Sequence, residues 1–351
     1  MPLTRRISPM ARTLLAGSVL ALVATPILAQ RQGSGNRPSR ECVREIVQLC
    51  GRDRSQVRAC LAEQVQALSE KCQNQVRKRM GISEADRPER RPFVPVTRPT
   101  RSVSYGSHQR QSIDVYEPEG VVEAQPLVLF VHGGGWRVGS KDRVQFKPQH
   151  FGDQDIYFAS TGYRLLPDTP VEDQAKDIGL AVQALVGQAS VIGHDPARIV
   201  LMGHSAGAHL AALVATDPQY AGDAFGAIKG VVLLDGAGYD VAQNIEDANY
   251  RGRRVYEEAF GFDAERHKAL SPVTHIGGPD APNWLALYDE TRAIAKKQAE
   301  LLTTGLGDTG SAAEAVAIAD TDHGRMNREI GTPEGAAQTQ AIDAFLARVF
   351  E

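Results

Sequence analysis

The chain has 351 residues, 42% hydrophobic and 23% charged, with a formal net charge of −3 at pH 7. That average conceals a division: residues 31–101 carry 16 Lys and Arg against 8 Asp and Glu, whereas residues 102–351 carry 20 against 34. No aromatic residue lies between Gln30 and Phe93, which argues against a stacking platform for nucleic acid in the basic part.

Arg5, Arg6 and Arg12 precede an apolar run from Leu14 to Leu28 that ends in Ile27-Leu28-Ala29. This layout predicts a secretory signal peptide over residues 1–29, cleaved after Ala29. Gly17, Ser18, Thr25 and Pro26 make the run a poor permanent membrane helix, with an uncleaved anchor as the alternative. Arg5-Arg6 lacks the following apolar pair of a twin-arginine signal. The expected location is therefore periplasmic or secreted, with no stable membrane span once the signal is removed.

A flexible segment (30–40) leads to residues 41–80, which hold all four cysteines, Cys42, Cys50, Cys60 and Cys72. In an exported protein an even, clustered set implies disulfides. The spacing lacks a C-x-x-C pair and so does not suggest zinc. Glu41–Leu49 and Gln56–Met80 read as helices joined by a turn at Gly51–Arg54. Of the three pairings available, the nested one, Cys50 with Cys60 and Cys42 with Cys72, is favoured. A hairpin this short buries too little apolar surface to hold itself together, and each disulfide in such a domain contributes roughly 2–5 kcal/mol. The segment resembles the cysteine-rich helical-hairpin repeats of some Golgi and bacterial exported proteins. Residues 81–101, with Pro88, Pro92, Pro95 and Pro99, read as a semi-rigid linker. Three readings of the basic hairpin stand: contact with an anionic envelope surface, packing against the acidic enzyme part, or a solvated Arg-rich surface without a partner.

From residue 102 to 351 strands and helices alternate. Val103–Tyr105 and Gln111–Tyr116 read as an opening hairpin. Strands are expected near 127–131, 155–159, 198–203, 229–235, 283–288 and 314–319, and helices near 171–189, 206–215, 291–304 and 334–349. Alternation of this kind predicts a mostly parallel sheet covered by helices on both faces. Asp247–Leu270, with Tyr250, Tyr256, Phe260 and Phe262, reads either as a cap over a site or as an ordinary packed helix.

Two motifs carry the chemistry. The first strand, Pro126–Val131, runs into His132-Gly133-Gly134-Gly135-Trp136, whose consecutive glycines leave backbone N–H groups free to meet an oxyanion. The run Arg198–Met202 leads into Gly203-His204-Ser205-Ala206-Gly207 and then a helical pattern. Strand, G-x-S-x-G, helix is the setting that exposes a serine nucleophile on a tight turn. Gly133, Gly134 and Ala206 are the expected oxyanion donors, and Trp136 is expected to line the substrate pocket.

Together with Gly139-Ser140-Lys141, Tyr163-Arg164-Leu165-Leu166-Pro167 and Gly193–Ile199, these motifs resemble the α/β-hydrolases of the hormone-sensitive-lipase and carboxylesterase type. They are similar to small bacterial esterases and arylformamidase-like enzymes. The resemblance covers residues 102–351 and departs from the family at Gly162, where Asn is frequent, and around the acidic residue.

Of nine histidines, His323 follows the last expected strand and is the candidate general base, with His275 the rival. The acid of such a triad sits after the strand that precedes the histidine strand, which selects Asp289, with Glu290 as alternative. Asp235 and Asp240, after the preceding strand, are set aside. Ser205 would attack the carbonyl, His323 would move the proton, and Asp289 would orient the imidazole, with no metal or organic cofactor required. The expected activity is hydrolysis of a small carboxylic ester, with arylformamide hydrolysis as a variant. A non-catalytic envelope protein built on a hydrolase scaffold is the reading from a different class.

Overall fold

The structure is a computed structural model and describes residues 39–50, 57, 60–61, 68–69, 71–73, 75–76, 98–121 and 124–351. The expected signal peptide, the turn at residues 51–54 and most of the linker lie outside the described residues. The chain divides between Pro92 and Phe93 into two compact units.

In the first unit, helix α1 (Arg40–Cys50) begins after Ser39, whose Oγ accepts from the Cys42 N–H at 3.2 Å. Glu41 in the first turn faces the positive end of the helix dipole. Cys42, Ile46, Leu49 and Cys50 recur at helical spacing and pack with Leu61, Leu68 and Val76. Disulfides join Cys42 to Cys72 and Cys50 to Cys60, the nested pairing. The Ser69 N–H and hydroxyl both donate to the Glu45 carboxylate, at 2.7 and 2.8 Å.

The second unit is built on one eight-stranded sheet. Its strands are β1 (Arg101–Ser104), β2 (Ser112–Tyr116), β3 (Gln125–Val131), β4 (Tyr157–Thr161), β5 (His194–His204), β6 (Ile228–Leu234), β7 (Asn283–Asp289) and β8 (Ala312–Ile318). Their spatial order is β1-β2-β4-β3-β5-β6-β7-β8. The first two strands pair antiparallel, as the opening hairpin predicts, and β2 also runs antiparallel to β4. Every later pairing is parallel. This is the α/β-hydrolase arrangement.

The central strands are apolar throughout because both faces are covered. Leu127, Leu129, Val131, Leu201, Val231 and Leu233 enter one core layer, together with α3 (Val171–Gly187), α4 (Ala206–Thr216) and α8 (Ala293–Asp308). The alternate residues Val128, Phe130, Val200, Met202, Val232 and Leu234 enter the other, against α2 (Lys147–Gly152) and α9 (Ala336–Phe350). Between β6 and β7 lie α5 (Val241–Asp247), α6 (Tyr250–Phe260) and α7 (Ala264–Ala269), each capped by the side chain before it: Asp240, Asn249 and Asp263. Asp240 is thus a structural cap.

Candidate active site

Ser205 sits between β5 and α4 with φ 55° and ψ −120°, a backbone conformation that a non-glycine residue holds only under tertiary constraint. The flanking glycines make the turn fit. A Cβ on Gly203 would lie 2.3 Å from the Gly207 carbonyl oxygen, and one on Gly207 would lie 2.2 Å from that of Val131. The Ser205 N–H donates to Leu234 O at 3.0 Å, so Ser205 is anchored to the end of the neighbouring strand β6.

The loop after β3 approaches from the other side. A Cβ on Gly133 would fall 3.0 Å from the Ser205 Cβ. No protein acceptor among the described residues takes the N–H of Gly133 or Gly134, and Ala206 begins α4, where the first N–H groups have no partner within the helix. The loop is held by the motifs flagged in the sequence. Tyr163 Oη donates to His132 O at 2.8 Å while its ring stacks on the imidazole, and Arg110 Nη1 donates to Gly139 O at 3.0 Å. Arg164 clamps the buried Asp177 carboxylate.

Trp136 does not line an open pocket. It is 2% exposed, and its ring packs edge-on against His209, Tyr256 and Phe260. The reason is local: a positive φ of 59° at Trp136 turns the chain, and α6 covers the ring. Arg137 pairs with Glu258 of α6 at 2.9 Å. Asp247–Leu270 therefore behaves as a cap over the glycine loop, with the exposed Val138 and Val255 beside Gly134 and Gly135.

His323, in the loop after β8, places Nε2 2.9 Å from Ser205 Oγ. Its Nδ1 lies 2.7 Å from Asp235 Oδ2. Asp289, the acid expected from the sequence, is not in this chain of contacts. Its Oδ1 accepts from the N–H and hydroxyl of Thr291 at 2.9 and 2.8 Å, and its backbone carbonyl accepts from the Arg292 N–H. Glu290 is exposed. The physical reason is strand order. β6 is the immediate neighbour of β5, so the residue after β6 lies about one strand spacing, ~4.8 Å, from the residue after β5, whereas the end of β7 is a further strand away.

Asp235 is fully buried at its side chain and has φ 48°, a conformation that Asp tolerates better than most residues. Burial opposes its ionisation, but the His323 hydrogen bond, the Arg292 guanidinium and the Asp289 N–H outweigh that and hold the carboxyl below the usual range. The Asp235 N–H donates to Leu287 O at 2.7 Å. Two further residues join the site, and Arg292 was not among those the sequence singled out. Arg292 contacts Asp235 and His323. The His204 Nε2 lies 2.7 Å from His323 O; burial and the neighbouring His323 push its pKa down to about 3, so it stays neutral and donates from Nε2. The signal for Asp235 was its position directly after a strand and before Gly236-Ala237-Gly238.

The sheet order, the serine elbow and the glycine loop define an α/β-hydrolase of the carboxylesterase type. The BD-FAE family model matches residues 113–306, and the chain belongs to that family. Kynurenine formamidase of Danio rerio is 32% identical over 228 residues, 65% of this chain and 75% of that protein. Isoprenylcysteine alpha-carbonyl methylesterase ICME of Arabidopsis thaliana is 28% identical over 239 residues, 64% of this chain and 56% of that protein. The chain spans between a quarter and just over half of the length of the first methylesterase relatives it matches. Among solved structures, Thermogutta terrifontis esterase 2 superposes with a TM-score of 0.60 at 22% identity, covering 71% of this chain and 94% of that one.

Proposed function

We propose that this protein is an exported serine hydrolase that cleaves a small carboxylic ester. The observation that carries this reading is the unbroken contact series Ser205 Oγ, His323 Nε2, His323 Nδ1, Asp235 Oδ2 beside the Gly133 and Gly134 N–H groups, which no protein acceptor among the described residues takes. Ser205 Oγ adds to the substrate carbonyl carbon as His323 Nε2 takes its proton, and the N–H groups of Gly133, Gly134 and Ala206 receive the oxyanion. The imidazolium returns the proton to the leaving alcohol, and water, deprotonated by the same imidazole, releases the acid from Ser205. Asp235 holds the Nδ1–H tautomer and stabilises the imidazolium. The exposed apolar Val138 and Val255 beside the loop support an apolar substituent on the ester. Export rests on the N-terminal layout and on the two disulfides.

The kynurenine formamidase relative supports a second reading within the same chemistry, in which the bond cut is an aryl formamide. The test is hydrolysis of p-nitrophenyl acetate and butyrate beside an aryl formamide. Wild type is expected to cleave the esters, and Ser205→Ala to lose the activity. Equal rates in the two proteins, or no rate in wild type, would favour the non-catalytic scaffold. Faster cleavage of the formamide would select the second reading. Asp235→Asn is expected to lower kcat by about 10⁴-fold, as loss of a triad acid does, whereas Asp289→Asn, which keeps an acceptor for Thr291, stays near wild type. The reverse order would return the acid to Asp289.

A further inference from the structure

A triad acid usually needs only its histidine and a few backbone donors, yet Asp235 also receives a guanidinium. Arg292 Nη1 donates to the Asp235 carboxylate and, at 3.1 Å, to the Asp235 backbone carbonyl. The same nitrogen stands 2.8 Å from His323 Nδ1. The two hydrogens of Nη1 thus face three acceptors, and an anionic carboxylate is a stronger acceptor for a guanidinium than a neutral imidazole nitrogen. Arg292 is drawn to Asp235 rather than to Nδ1. That distinction decides the tautomer. Were Nδ1 to accept from Arg292, Nε2 would carry the hydrogen and face Ser205 as a donor, unable to take its proton. With Arg292 committed to Asp235, Nδ1–H donates to Oδ2 and Nε2 remains the base.

We infer that Arg292 is a positioning residue for the proposed reaction: it fastens Asp235 at both its carboxylate and its backbone carbonyl, and so fixes the reactive tautomer of His323. The inference rests on the reading of Ser205, His323 and Asp235 as the triad. Three observations bear on it independently. Asp235 is held at a positive φ, and a donor on its own carbonyl restrains that conformation. The turn that delivers Arg292 is built by the carboxylate first expected to be the acid: Asp289 accepts from Thr291, and the Arg292 N–H closes on Asp289 O at 2.9 Å. The Asp289 N–H, in turn, donates to Asp235 Oδ1 at 3.1 Å. The segment after β7 thus supplies a clamp for an acid carried by β6.

The experiment uses the full chain with Arg292→Met, Arg292→Gln and Arg292→Lys, assayed on p-nitrophenyl butyrate, with thermal melts to confirm that each variant is folded. Arg292→Met is expected to lose about 100-fold in kcat, the scale of a small misplacement of a catalytic group, with KM little changed. Arg292→Gln and Arg292→Lys each keep a donor for Asp235 and should recover part of kcat. An Arg292→Met protein that keeps the wild-type kcat, or that changes KM alone, overturns the inference, as does a failure of both donor-bearing variants to recover any of the loss. If Asp235→Asn or Ser205→Ala retains full activity, the triad reading itself has failed. An inactive Asp235→Asn beside a wild-type-like Arg292→Met isolates the failure to the clamp.

Discussion

Lys147 carries an amine into the layer where Phe130 packs. It is wholly buried, donates to Asn327 O at 2.8 Å and to Gln145 Oε1 at 3.3 Å, and lies 4.8 Å above the Phe130 ring. Burial pushes its pKa down from 10.5 to about 7. Between those two values the unfolded chain binds a proton that the folded chain does not, so stability rises with pH through that window and the full cost of the buried cation is felt below about pH 7. Lys147→Met, which keeps the bulk without the charge, should therefore gain stability over wild type at pH 6 and lose that advantage as pH approaches 10. Denaturant midpoints at pH 6, 8 and 10 measure it, and a gap that does not change with pH would show that the amine remains charged in the fold. The glycines of the elbow act at the same scale with the opposite tolerance, since any Cβ at Gly207 strikes the β3 backbone.

At the scale of elements, α6 is secured to the glycine loop by side chains more than by ions. The Arg137–Glu258 pair is largely exposed and contributes little, whereas Phe260 is fully buried 4.9 Å from Trp136. Phe260→Ala should cost about 3–5 kcal/mol of stability and loosen the loop that carries the proposed oxyanion donors. The expected readout is a lower melting temperature with a lower kcat toward p-nitrophenyl butyrate, and unchanged kinetics would detach the cap from the site. The elements themselves were legible because their signals are local. Helices at Val171–Gly187 and Ala206–Thr216, and strands at Ile228–Leu234 and Asn283–Asp289, fall within a few residues of expectation. β4 begins at Tyr157, two residues late, after a turn in which Asp155 takes φ 58°. The serine, the histidine and the glycine loop are also local, each sitting at the end of its own strand. The contacts of the proposed acid are not, because they depend on which strand lies beside which. A sequence shows that Asp235 and Asp289 both end strands; only the sheet order puts the first of them within reach of His323. Arg292 was invisible for the same reason, since its partner is 57 residues away.

At the scale of the whole molecule, sulfur and catalysis are segregated. All four cysteines belong to the first unit, where they are paired, and residues 102–351 contain none. Reductant should therefore leave hydrolysis at Ser205 unaffected while the hairpin, deprived of roughly 2–5 kcal/mol per bridge, becomes sensitive to protease. Parallel rate and limited-proteolysis measurements with and without dithiothreitol check this, and a loss of rate on reduction would show that the hairpin supports the enzyme. The described residues contain no helix long and apolar enough to cross a membrane.

The ladder of the sheet runs on past the strand ends: Ser205 N–H reaches Leu234 O, and Asp235 N–H reaches Leu287 O. Ser205 and Asp235, the proposed nucleophile and acid, are in effect two further rungs, and the distance between them is set by the pitch of the sheet rather than by the length of any loop. Insertions in the connections after β6 or β8 can then reshape the mouth of the candidate site while the ruler on which these two residues are mounted keeps its graduation.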